Sequence, residues 1–262
     1  MDIAVDGMAV DVLRGSEQLG AGNGVQVVGY KVGMLLGGGV LVILAGSLGW
    51  AGLFGAMALI VVAVIALTLA TPEAPSVTAR EHVSMRDVLR SLARVVRTRE
   101  AVGVLLVVAT YKVGEAMADS MWSPMLVLRG WSREEIGLVA GTWGMGASIA
   151  GSVAGAAIAM RLPPARALLV TALLRVAPIA LQGVVVMGQG RPSLEIVSGV
   201  TIAEAFFGGA LTTAMFAFMM GRVDREIGAT HFTLLATLEV LGKTPSGLLG
   251  GLPITAVIVR GS

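Results

Sequence analysis

Lys112, Glu115 and Asp119 are spaced i, i+3, i+7 within "ATYKVGEAMADSMWSP". On a helix that spacing brings all three to one face. Glu239 and Lys243 stand i, i+4 in the favoured order, on a helix that Pro245 and Pro253 are expected to interrupt. Lys31, Arg175 and Glu204 stand singly in equally apolar surroundings. The chemistry open to such a set is recognition of anions by ammonium and guanidinium groups, and movement of protons on carboxylates. Hydrolytic, metal-dependent or ATP-driven chemistry has no motif here: there is no HExxH, no nucleophile elbow and no phosphate-binding glycine loop. Cysteine is absent, which removes thiol sites and disulfides, and the two histidines, His82 and His231, fall at the edges of apolar segments. No metal, no cofactor and no enzymatic activity are expected.

The elements that must position these residues follow from composition. The 262 residues are 55% hydrophobic and 14% charged, with a mean hydropathy of +0.84. Ordinary soluble domains carry about 25% charged residues. With 36 glycines and long aliphatic runs, the chain reads as an all-α polytopic membrane protein. A formal charge of +2 gives no basis for nucleic-acid binding.

Seven segments reach the roughly 20 residues needed to span a bilayer: 24–48, 50–71, 101–127, 134–159, 167–188, 194–221 and 231–259. Residues 72–100 differ. In "SMRDVLRSLARVVRTRE", Met85, Val88, Leu89, Leu92, Val95 and Val96 recur at helical spacing with arginines opposite, the pattern of an amphipathic helix on a membrane surface. The chain divides accordingly into 1–71, a linker over 72–100, and 101–262. Arg14, the six arginines from Arg80 to Arg99, Arg161, Arg166, Arg222 and Arg225 fall on one side, against Arg129, Arg133, Arg191 and Arg260 on the other. The positive-inside rule makes the first side, and the linker, cytoplasmic in a plasma (inner) membrane. Trp50, Trp122 and Trp131 lie near the opposite boundary, as an aromatic belt would.

That assignment leaves Lys31, Lys112, Arg175, Lys243, Glu115, Asp119, Glu204 and Glu239 inside spans. Each singly could be an internal ion pair that holds helices together. As an ensemble in five of the seven spans they favour a polar, water-accessible pathway, because buried ion pairs often add nothing net to stability. Ala147, Gly151 and Gly155 form a small-xxx-small stripe for close helix packing.

Three stretches carry a family resemblance. "DIAVDGMAVDVLRGSEQLGAGNGVQVVGYKVGMLLGG", "TYKVGEAMADSMWSPMLVLRGWSREEIG" and "FFGGALTTAMFAFMMGRVDREIGATHFTLLATLEVLGK" resemble, in order, parts of the muropeptide permeases (AmpG-type). These belong to the peptide/acetyl-coenzyme-A transporter branch of the major facilitator superfamily. The resemblance implies a partial major facilitator fold, from the end of helix 4 through helix 11 of twelve, and so a truncated reading frame. It also implies a 72–100 linker between helical halves. "GAAIAMRLPPARA" departs from the superfamily's loop pattern, with Met160 where an aspartate is usual. The repeated Tyr-Lys-Val-Gly falls on two helices that the superfamily's internal repeat does not relate, so it is not read as a duplication.

The expected function is proton-coupled import of an anionic amphiphile such as a muropeptide, by a monomer in contact with small-molecule substrate, protons and lipid. Tyr30, Lys31, Tyr111, Lys112, Arg175 and Lys243 are the expected substrate-binding residues. Glu115, Asp119, Glu204 and Glu239 are the expected proton carriers. The alternatives are transport of another solute by the same fold, and a fragment that does not transport.

Overall fold

In a computed structural model, the described residues are 2–13, 15–37, 41–71, 86, 98–224 and 227–260. Among them all regular structure is helical. The helices are α1 (Asp2–Val12), α2 (Gly15–Leu35), α3 (Leu41–Ala70), α4 (Arg99–Thr110), α5 (Val113–Leu128), α6 (Arg133–Ile136), α7 (Met145–Arg161), α8 (Pro164–Met187), α9 (Leu194–Met220) and α10 (Gly228–Arg260). A π-helical stretch, Gly137–Gly144, joins α6 to α7. The expected linker 72–100 lies outside the described residues apart from Arg86 and 98–100.

Among the described residues, five stretches are long and apolar enough to cross a bilayer: Gly46–Ala70, Arg99–Leu128, Arg133–Arg161, Pro164–Met187 and Leu194–Met220. The chain is a polytopic membrane protein. Gly49, at φ 64° and ψ 171°, interrupts α3 at the boundary between segments 24–48 and 50–71. A residue with a Cβ would be strained there. The expected break in the last segment does not occur, since α10 continues through Pro245 and Pro253. Pro124 likewise lies inside α5.

The chain forms two compact units, Met1–Val27 with Ser84–Ser262, and Val28–Val83. In the second unit the α3 side chains Leu59, Val62, Ile65 and Leu69 are exposed. Aliphatic side chains turned outward suit a lipid or protein surround rather than water.

The first unit is built on α9, which packs along both α7 and α8. Close approach explains the first of these contacts. A Cβ at Gly151 would fall inside the Phe206 backbone carbonyl, and one at Gly155 would collide with Ala210. The small-residue stripe therefore lets two backbones touch. One apolar cluster gathers Leu211, Met215, Phe218 and Met219 of α9 with Val108, Phe232 and Leu235. A second gathers Trp122, Leu126, Trp131, Val139, Val197 and Val200. Along α9 the first cluster begins at Leu211 and the second ends at Val200. The residues between them include Glu204 and Gly208.

α8 shows how the membrane inverts the usual pattern. Its buried stripe is Ala167, Leu168, Thr171, Arg175, Pro178 and Gln182. Leu169, Leu173, Val176 and Val184 on the other faces are exposed. Polar residues inside and aliphatic ones outside are what hydrocarbon demands of a helix with a charge to place.

Candidate functional site: a charged layer between apolar clusters

The expected 101–127 span is not one helix. α4 ends at Thr110, Tyr111 and Lys112 form a turn, and α5 starts at Val113 with Lys112 as its N-cap. The Thr110 hydroxyl donates back to the Leu106 carbonyl at 2.6 Å, a bond that competes with regular helix. The second Tyr-Lys-Val-Gly therefore sits on a helix break, where backbone groups and side chains both become available inside the bilayer.

Lys112 Nζ lies 3.8 Å from Glu115 and 3.9 Å from Glu239, and donates to Thr212 Oγ1 at 3.3 Å. Glu239 Oε1 also accepts from the Tyr111 hydroxyl at 2.9 Å and pairs with Lys243 Nζ at 2.5 Å. Deeper in, Arg175 Nε meets Glu115 Oε2 at 3.0 Å. The same guanidinium donates to the Glu204 carbonyl at 2.8 Å through Nη1 and pairs with the Glu204 carboxylate through Nη2. Asp119 stands one turn beyond Glu115 on α5 and is exposed. The Arg175 side chain is 3% exposed, Glu115 9% and Glu204 14%, so this centre is largely buried, whereas Lys243 at 33% is partly exposed.

Seven of the ten expected site residues thus meet in one layer: Tyr111, Lys112, Glu115, Arg175, Glu204, Glu239 and Lys243. Asp119 lies on the same helix as Glu115, and Tyr30 and Lys31 belong to the second unit, where Tyr30 is exposed.

Sequence reading passed over three neighbours. Gly208 leaves room for Arg175, since a Cβ there would fall inside the guanidinium. Thr212 takes the Lys112 hydrogen bond. Both follow Glu204 at i+4 and i+8, a spacing that would have placed them on its face. Gln182 is buried on the Arg175 stripe, and its Oε1 has no hydrogen-bond partner among the described residues. A cavity of about 340 Å³ at the far end of α10, bordered by Glu100, Arg222, Asp224 and His231, shares no residue with the charged layer.

The second apolar cluster closes the layer on the Trp131 side. Trp122 Nε1 donates to Thr201 Oγ1 at 3.0 Å and Trp131 Nε1 to the Pro192 carbonyl at 3.3 Å. Arg129 donates to the Val185 carbonyl at 2.9 Å and the Val186 carbonyl at 2.5 Å, capping α8. Arg191 pairs with Glu135 at 2.6 Å and stacks on Trp131.

No family model matches the chain. It is 32% identical over 252 residues to the anhydromuropeptide permease of Escherichia coli (strain K12), covering 95% of this chain and 51% of that relative. It is 26% identical over 269 residues to an uncharacterized protein of Haemophilus influenzae, covering 98% of this chain and 62% of the relative. It is 25% identical over 249 residues to a protein of Rickettsia conorii named putative transporter AmpG 4, covering 92% and 59%. The chain therefore spans about half the length of the first of these relatives and about three-fifths of the others. The resemblance to AmpG-type permeases extends over nearly all of it.

Proposed function

We propose that this chain, a homologue of the AmpG-type permeases, is part of a secondary transporter that imports an anionic amphiphile of the muropeptide class with protons across the inner membrane. The observation that carries the reading is the layer of Lys112, Arg175 and Lys243 interleaved with carboxyls at a helix break. An intramembrane set of both signs is costly unless it serves a pathway. The relative named an anhydromuropeptide permease supplies the substrate class.

In this reading the cations receive substrate carboxylates. Lys112 and Lys243 do so by leaving Glu239, which holds them at 3.9 and 2.5 Å. Tyr111 supports them by bonding the same Glu239 carboxylate. Arg175, gripped by Glu115 and Glu204, anchors the layer. Tyr30 and Lys31, in the other unit, are proposed separately as substrate-binding residues. The four carboxyls, Glu115, Asp119, Glu204 and Glu239, are the proposed proton carriers. The chain acts as a monomer with its 72–100 linker in the cytoplasm.

Counterflow in proteoliposomes tests the substrate class. Labelled anhydromuropeptide should exchange against unlabelled anhydromuropeptide and not against acetyl-coenzyme A or simple sugars. Exchange driven equally by the other solutes would refute the assignment. Lys112→Ala should reduce exchange at least tenfold, and full exchange in that variant would remove Lys112 from the site.

A further inference from the structure

The buried face of α8 changes character along its length. Ala167 and Leu168 belong to the first apolar cluster, and Val185 packs against the second. Between them the face carries Thr171, Arg175, Pro178 and Gln182. The Thr171 hydroxyl donates to the Ala167 carbonyl at 2.9 Å, and Arg175 is held by Glu115 and Glu204. Gln182 is different. It is 5% exposed, yet its Oε1 has no hydrogen-bond partner among the described residues. A buried acceptor without a donor costs free energy, and native proteins keep few of them. An apolar side chain of similar volume would fill the same room without that cost. Stability therefore gives no reason for an amide at this position.

We infer that Gln182 is a substrate-contact residue, whose Oε1 accepts a hydrogen bond from an uncharged N–H or O–H group of the transported solute. The inference rests on the transport reading and deepens it, adding a neutral contact to the charged ones. Gln182 follows Arg175 by seven residues on the same buried face, which sets the two about 10 Å apart along the helix. A solute lying along α8 thus meets the charged layer at one end and the amide at the other. The contact forms when that face opens to the solute, as alternating access about a central site provides. The solute class that fits is an elongated anion with an amide or hydroxyl group set apart from its carboxylates. An anion of the same length without that group leaves the Gln182 oxygen unpaired. A buried polar group discriminates strongly against a solute that lacks its partner.

Equilibrium binding of labelled anhydromuropeptide to the whole chain in lipid vesicles tests this, with reversible unfolding from mixed micelles measured beside it. Gln182→Met keeps the approximate volume and removes the acceptor. It should weaken binding about tenfold while stability is unchanged or raised. An analogue with methyl groups in place of its amide and hydroxyl hydrogens, and with its carboxylates free, should bind the wild type less well than the parent. In Gln182→Met that preference should shrink about tenfold. Unchanged binding in the variant, or an undiminished preference for the parent, would overturn the inference. So would a loss of stability with binding intact, the sign of an ordered water that satisfies the oxygen. Exchange across the same vesicles separates the two claims. Binding that weakens in the variant, without any exchange, counts against transport and leaves the Gln182 contact standing. Exchange with binding indifferent to the variant removes Gln182 and leaves transport. A wild-type chain that binds no anhydromuropeptide overturns both.

Discussion

At the scale of single residues, Arg175 is the side chain with most at stake. It is buried between Glu115 and Glu204, and its removal leaves Glu204 without its cation and Glu115 with Lys112 alone. Breaking a buried pair by deleting one partner costs about 3–5 kcal/mol, so Arg175→Ala should lose about that much in reversible unfolding from mixed micelles. Gly208→Ala should mimic it, because the new Cβ would occupy the guanidinium's place. The double variant should be little worse than Arg175→Ala alone, a non-additivity expected of groups sharing one contact. Full additivity would mean that Gly208 acts elsewhere. The pairs within one segment, Lys112–Glu115 and Glu239–Lys243, were legible in the sequence because helical spacing sets them. The pairings of Arg175 with Glu115 and Glu204 were not. They join three different helices, and no local spacing encodes which helix stands beside which.

At the scale of elements, the decisive features are the turn at Tyr111–Lys112 and the α7–α9 contact. The turn has no proline or glycine of its own to announce it. It is held from outside, by Tyr111 bonding Glu239 and Lys112 bonding Thr212 on two other helices. Tertiary contacts of this kind override a helical pattern that sequence reads as continuous. The reverse happened in α10, where two prolines suggested an interruption and the helix continues. Proline can be absorbed where neighbouring groups satisfy the freed carbonyls. The Ala147–Gly151–Gly155 stripe was legible, since small residues one turn apart have one structural use in a membrane. Gly151→Val should force α7 from Phe206 and destabilise the unit by about 1–3 kcal/mol. Unfolding in mixed micelles checks this, and an unchanged stability would show that the helices do not touch there.

At the scale of the whole molecule, the all-helical, multi-pass character was legible from hydropathy alone, and the similarity to AmpG-type permeases from three ordered stretches. Orientation rests on the distribution of arginines. The absence of cysteine makes it directly testable with single introduced thiols. In intact cells, Gln189→Cys should react with a membrane-impermeant maleimide from outside, and Ser91→Cys should react only after permeabilisation. The opposite pattern would invert the topology and the direction of import.

The account's central claim, that the charged layer couples protons to an anionic substrate, is tested most directly by uptake of labelled anhydromuropeptide into proteoliposomes carrying the chain. An acidic exterior should accelerate saturable uptake. Asp119→Asn should abolish the acceleration, and Lys112→Ala the uptake itself. Uptake indifferent to the proton gradient, and unchanged in both variants, would contradict it.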